Sequence, residues 1–439
     1  MQIIADLHIH SKYARACSPQ LTLENIDLWA RIKGLHLMAT GDFTHPKWFP
    51  ELQEKLEPSL DGLYRLKPEY RVKDARFTEK SDEEVHFICA TELSCIYSHG
   101  GKVRRVHHTV FAPSIEAVAG INAALMKRGG KLGGDGRPIL GISSKDLLLL
   151  IRKVDPRCHI IPAHAWTPWF AIFGSKSGYD SIEECFEELA PEIFAIETGL
   201  SSDPAMNWRV KGLDKVALVS SSDAHSLPNL GREATVFEGE ELSYDNIFTA
   251  IRNASPEARK KPIKEKLTLR KTLEFFPDEG RYHYDGHRDH KVCLSPAESR
   301  KLKGMCPKCG RPLTIGVLNR VEELTTEAEG RRPEGAPDFL SLVELDKVIA
   351  QALGVRGRAT KKVEALYWPL VSQGGGELKV LSEVPIEQLK KMTEAPIVEA
   401  IQRLREGKVE VEPGYDGEYG HITLLSDSDR KRLSQSSLF

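Results

Sequence analysis

The sequence predicts an α/β barrel built around a metal centre, then a small zinc-ribbon-like domain, then a mostly helical C-terminal domain. Three observations predict it. From residue 1 to about 265, short apolar runs alternate with helical stretches, and run after run ends in His, Asp or Glu. Three cysteines cluster at Cys293, Cys306 and Cys309, while those at 17, 89, 95, 158 and 185 are scattered. The last hundred residues place apolar side chains at helical spacing. An open doubly wound sheet is the alternative, but it brings residues from fewer strands to one point.

Bulk properties fit this outline. The chain has 439 residues and 49.1 kDa, which suggests two to four domains. Its 41% hydrophobic and 28% charged residues exclude general disorder. A net charge of -2 excludes a polycation but leaves room for a local basic groove. No apolar run approaches the ~18 residues of a membrane span. The opening MQIIADLHIH has no basic region of a signal peptide, so the expectation is a soluble cytoplasmic protein.

In chain order, IIADLHIH is predicted as a strand. Its period of two puts Ile4, Asp6, His8 and His10 on one face, an arrangement with no packing rationale. TLENIDLWARIKG is predicted as an amphipathic helix from Thr22 to Gly34. LMATGD, VHFICATE, HHTVFA, HIIPAH, IFAIETG and VALVSSSDAH are further short strands. They present Asp42, Glu92, His107 or His108, His164, Glu197, and Asp223 with His225. Mixed imidazole and carboxylate ligands suit zinc, manganese or iron, and a bridging carboxylate suits a multinuclear site. Ions so held generate hydroxide at neutral pH and neutralise phosphate oxygens, so the chemistry read from the residues is phosphoester hydrolysis.

DLHIHS at 6–11, the TGD element at 40–42, Glu92, His164 and SDAH resemble the polymerase-and-histidinol-phosphatase (PHP) family. That resemblance implies a distorted, roughly seven-stranded barrel and a trinuclear metal site. TGDFTHPKW, DGRPILG, IPAHAWTPWF, SDAHSLPNLGRE, EFFPDEGRYHYDGHR and PGYDGEYG resemble, within it, the endonuclease Q family of DNA repair enzymes. The likeness runs from residue 1 to about 425. It implies hydrolysis of the phosphodiester 5′ of uracil, hypoxanthine or xanthine, and at abasic sites. It also implies His8, His10, Asp42, Glu92, His107, His164, Asp223 and His225 as metal ligands, with two or three divalent ions (Zn2+, Mn2+, Mg2+ or Fe2+). Asp6, Glu92 and Asp223 are the expected catalytic carboxylates. His107 is preferred over His108 because it directly follows Arg104-Arg105-Val106. The chain departs from the wider PHP pattern at Arg15-Ala16-Cys17, where many members carry a further histidine.

His290-x2-Cys293 and Cys306-x2-Cys309 have zinc-ribbon spacing, so one structural Zn2+ is expected on these four residues. Trp166, Trp169 and Phe170 follow His164 and are expected to stack on an extruded base, with Arg232 among the phosphate contacts. The expected domains are 1–265, 266–330 and 331–426, with a flexible tail over 427–439. Gln435, Leu438 and Phe439 in that tail resemble the pentapeptide that binds bacterial sliding clamps. The reading is thus a metal-dependent DNA repair endonuclease whose partners are damaged DNA and a sliding clamp. The alternatives are a PHP phosphatase or exonuclease on other phosphoesters, and a non-catalytic DNA-binding scaffold.

Overall fold

The strand Gln2–Asp6 pairs in parallel with Leu37–Ala39 on one side and antiparallel with Ala234–Gly239 on the other. In this computed structural model, which describes residues 1–79, 84–261 and 264–436, it belongs to an 11-stranded sheet. Leu37–Ala39 continues in parallel onto His86–His99, a 14-residue strand. That strand pairs along most of its length with Lys102–Ala112, which in turn pairs with His159–Pro162. Ala195–Glu197 and Ala217–Val219 form a separate parallel pair.

A closed seven-stranded ladder is therefore not what the described residues form. The ladder is interrupted on both sides of the Ala195–Glu197 pair. Ala165 N donates to Glu197 O at 2.9 Å on one side, and the Thr235 hydroxyl bonds both Ser220 N and Ser220 O on the other. The cause is local. Ala195–Glu197 and Ala217–Val219 have only three residues each, and His164 after His159–Pro162 and Asp223 after Ala217–Val219 adopt φ of +29° and +45°, which cannot extend a ladder.

The helix Leu23–Lys33 begins and ends where its sequence signals lie. The Thr22 hydroxyl accepts from Asn25 N, and Gly34 takes the left-handed conformation at φ 82° that ends it. Ile26, Ala30 and Ile32 on this helix are wholly buried against the sheet.

The sheet continues past the boundary expected at residue 265. Leu267–Glu274 pairs antiparallel with Ala234–Gly239, and Asp338–Ser341 adds in parallel beyond it. Between them, a hairpin of Asp285–His287 and Val292–Leu294 has its own small core of Val292, Cys306 and Leu313. The C-terminal segment is helical, with Leu345–Ala352, Lys361–Gly374 and Ala395–Arg405 as its larger helices, and its core is continuous with that of the sheet. Lys33 fastens the two together. Its Nζ lies 2.8 Å from Glu377 with both side chains about 2% exposed, and loss of either partner would strand a charge at ~3–5 kcal/mol.

The tail also differs from expectation, because Asp427–Ser436 is a helix. Ser426 and Asp429 bond each other reciprocally at its start, and Arg403 reaches Asp429 at 2.9 Å. Ser437–Phe439, which include most of the expected clamp motif, lie outside the described residues. Among the described residues no helix is long and apolar enough to cross a membrane.

Candidate metal centre

Two donor groups meet at the strand ends and share one residue. His8, His10, Glu92 and Asp223 form the first, and Glu92, His107 and His164 the second, each with its donor atoms within 4.8 Å of one another. Glu92 divides its oxygens between them. Oε2 faces His10 Nε2 at 3.3 Å and His8 Nε2 at 3.7 Å. Oε1 faces His107 Nδ1 at 2.7 Å and His164 Nε2 at 3.0 Å. One carboxylate oxygen per group is what a bridging ligand requires.

Strand parity explains the second group. In the antiparallel pairing His107 lies opposite Ser94, and His108 opposite Leu93. Ser94 and Glu92 share a face, so His107 joins Glu92 while His108 points into the core. There His108 Nε2 bonds Ser144 Oγ at 2.7 Å, and burial pushes its pKa down to about 3. Glu92 itself lies in the middle of a long strand, not at its end, because the hairpin runs on to His99.

The donor chemistry fits divalent cations. His8 Nε2, His10 Nε2 and Asp223 Oδ1 are buried without a hydrogen-bond partner, and all three belong to the first group. Buried polar atoms are rarely left so, and a cation among them would satisfy all three. Electrostatics favours one as well. Burial alone would push Glu92 up, yet His107 and Arg137 hold its carboxyl well below the usual range. Burial likewise opposes charge on His8 and His10, but Glu197 and Asp42 respectively pull their pKa values well up. The site is thus a cage of negative charge that proton or metal must neutralise.

Other expected site residues take different places. Asp42 is not in either group. Its Oδ1 accepts from His10 Nδ1 at 2.9 Å, and its Oδ2 from the Ser11 amide and hydroxyl, so it orients His10. His225 stands beside the first group, its ring centroid 4.7 Å from that of His10, and its Nδ1 donates to Asp223 O. Asp6, expected among the catalytic carboxylates, is fully buried, stands outside both donor groups, and accepts from Ser222 N and Gly231 N, which ties down the Asp223 loop. Arg232 likewise donates to Ser222 O and Asp223 O.

Trp166 is buried completely, with Nε1 donating to Asn207 Oδ1 at 2.7 Å, so it is a core residue and no stacking platform. Trp169 is 36% exposed and meets Tyr282 edge-on at 5.3 Å. Phe170 packs its ring 4.7 Å from His107, and its carbonyl accepts from His107 N. Glu197, outside the expected ligand set, ties both donor groups together. It accepts from His8 Nδ1 at 3.0 Å and from His164 N at 2.8 Å. The end of IFAIETG marks it in the sequence, although it is not among the expected ligands.

A third donor group joins His287, His290, Cys306 and Cys309. This corrects the expected zinc set, because Cys293 is absent from the group and its Sγ lies 3.8 Å from Pro413 O. The reason is pairing register. His287 lies opposite Val292, and Cys293 opposite Gly286, so Cys293 projects from the other face of the hairpin. Cys306 Sγ approaches His290 Nδ1 at 3.5 Å and Cys309 Sγ approaches His287 Nδ1 at 3.4 Å. Two thiols and two imidazoles suit tetrahedral zinc.

Fold and donor groups together define an α/β protein with three candidate metal sites among the described residues. Residues 215–256 match a family model described as PHP-associated, and residues 344–408 match one described as the MJ0043 C-terminal domain. A Methanocaldococcus jannaschii protein, MJ0043, is 32% identical over 267 residues, covering 59% of this chain and 31% of that one. The chain thus spans about a third of the length of that relative. From end to end, the chain resembles endonuclease Q. The crystal structure of the lesion-specific endonuclease from Pyrococcus furiosus superposes with a TM-score of 0.81 at 28% identity, covering 96% of this chain and 95% of that one. An endonuclease Q complexed with a 27-mer duplex carrying an abasic lesion at its active site gives the same TM-score and identity, with 98% of each chain covered.

Proposed function

We propose that the protein is a metal-dependent endonuclease that hydrolyses the phosphodiester 5′ of a damaged nucleotide in DNA. Its substrates on this reading are abasic sites and the deaminated bases uracil, hypoxanthine and xanthine. One observation carries the reading: two donor groups sharing Glu92 lie in a chain that matches a lesion-bound endonuclease over 98% of its length.

His8, His10, Glu92 and Asp223 would hold one cation and Glu92, His107 and His164 another, with His225 at the rim. Such cations lower the pKa of bound water and neutralise phosphate oxygens. Glu197 and Asp42 keep the His8 and His10 rings turned so that each Nε2 faces the site. Trp169 and Tyr282 offer aromatic faces to a base that has left the stack. His287, His290, Cys306 and Cys309 would hold one structural Zn2+. The resemblance of the final residues, with Gln435, Leu438 and Phe439, adds a sliding clamp as partner. Removal of residues 435–439 should then abolish clamp binding in a titration and leave nicking of free oligonucleotides unchanged. The cellular setting on this reading is the cytoplasm.

The test is nicking of end-labelled duplexes carrying one abasic site, one uracil opposite guanine or one hypoxanthine, with and without chelator. Metal-dependent cleavage 5′ of the lesion is expected. Equal cutting of undamaged duplex, or turnover of histidinol phosphate in place of DNA, would overturn the reading.

A further inference from the structure

Among the described residues, Arg137 is the one arginine or lysine whose side chain forms an ion pair with a carboxylate of the two catalytic donor groups. Its Nη1 lies 3.0 Å from Glu92 Oε2, the oxygen that also faces His8 and His10. A quarter of the side chain remains exposed, and its other guanidinium N–H groups have no partner among the described residues. The guanidinium therefore touches the centre through Nη1, and part of the side chain reaches solvent.

The chain fixes this placement by three contacts. Pro138 O accepts from Ser94 N at 3.1 Å, tying the loop to the strand that carries Glu92. Asp135 Oδ1 accepts from Arg15 N at 3.0 Å and from Arg137 N at 3.2 Å. Gly136 N donates to Tyr13 O at 3.1 Å, and a Cβ at Gly136 would run into the Asp42 carboxylate. Only glycine lets the loop approach so closely, and that approach brings the next residue to the centre. A loop held on three sides for the sake of a solvated charge would be unusual.

We propose that Arg137 is a catalytic residue that grips the scissile phosphate. The inference rests on the phosphodiesterase reading of the same centre. A guanidinium presents a planar fork of donors that matches two phosphate oxygens, and it stays charged at any working pH. The Glu92 oxygen it touches is also the one directed at the first donor group. Were a cation held there, Glu92 Oε2 would be shared between it and Arg137, and the rest of the fork would be free for an anionic substrate. As negative charge gathers on the phosphate oxygens in the transition state, a fixed cation beside them lowers the barrier. No atom or electron is exchanged with Arg137.

The experiment compares Arg137→Ala, Arg137→Lys and wild type on the abasic duplex and on bis(4-nitrophenyl) phosphate, alongside metal content and thermal melting. Expected is a fall in kcat of roughly 100–1000-fold for the alanine variant on both substrates. Metal stoichiometry should be unchanged, the lysine variant intermediate, and methylguanidinium should restore part of the alanine variant's rate but none of that of Asp223→Ala. Loss of metal in both variants would overturn the proposal and make Arg137 a positioning residue for Glu92. Unchanged kcat would overturn it too. Wild-type cleavage of the small diester without cleavage of the lesion duplex would sink the DNA reading alone, and cleavage of neither would sink both.

Discussion

Glu197 accepts a hydrogen bond of 3.0 Å from His8 Nδ1, and this single contact fixes the tautomer of a residue at the heart of the first donor group. A proton held on Nδ1 leaves Nε2, the atom buried without a partner, as the one that would give its lone pair to a cation. Outer carboxylates of this kind typically contribute 10–100-fold in metal affinity. Glu197→Gln can present its amide in place of an acceptor and turn the ring. It should weaken metal binding by roughly that factor with little change in melting temperature of the metal-free protein. Calorimetric titration with Zn2+ or Mn2+ checks this, and unaltered affinity would remove Glu197 from the site.

Glu92 and Asp223 separate holding two cations from holding one. Glu92 supplies an oxygen to both groups, whereas Asp223 belongs only to the first. Glu92→Ala should therefore reduce the metal content at both positions, and Asp223→Ala at one. Both should lose nicking by roughly a thousandfold or more, because each removes several kcal/mol of barrier lowering. Metal analysis after dialysis, with circular dichroism to show an intact fold, distinguishes the two variants. Equal metal content in both would mean that Glu92 is not shared.

These residues also show what the sequence made legible. Two histidines and an aspartate on one face of IIADLHIH have no packing explanation, so the first strand of the site could be read directly. The helix from Thr22 to Gly34 was equally plain, because both its caps are written in residue type. What could not be read depends on register across distant segments. Whether His107 or His108 faces Glu92 is decided by which of them pairs with Ser94. Whether Cys293 joins a zinc group is decided by its pairing with Gly286. The aromatic run after His164 reads as a loop rim, yet Trp166 turns inward because Asn207 waits there for its N–H. DGRPILG does not by itself place Arg137, whose approach to Glu92 depends on the loop's bonds to Ser94 and Tyr13.

The hairpin register yields its own test. Cys293 lies on the face toward Pro413, while His287 lies with His290, Cys306 and Cys309. If this group holds one Zn2+ as proposed, His287→Ala and Cys306→Ala should each lose it and lower the melting temperature, since metal affinity is folding free energy in so small a core. Cys293→Ala should keep its zinc. Zinc released to a chromophoric chelator on thiol modification measures this directly. Loss of zinc from the Cys293 variant alone would restore the spacing rule over the structure.

Glu274 sets an expected dependence of stability on pH. The residue is fully buried, and burial, aided by the nearby charge of Asp203, raises its pKa from 4.5 to about 8. Its Oε2 accepts from Thr198 Oγ1 at 3.0 Å and Ser220 Oγ at 3.1 Å, while Oε1 has no partner. Glu233, also buried, is raised well above its ordinary value by burial and by the charge of Glu274. In the folded state the Glu274 carboxyl thus keeps its proton across a range in which the unfolded chain has lost it. The folded state binds more protons there, so stability falls as pH rises. Its contribution is fully present below about pH 4.5 and is lost as pH rises to about 8. Glu274→Gln is neutral throughout and can still accept from Thr198 and Ser220. Denaturant melts at fixed metal concentration should then show wild type losing stability from pH 5.5 to 8 more steeply than the variant. The variant should be the more stable of the two at pH 8. Parallel pH profiles for the two proteins would mean that Glu274 is ionised in the fold.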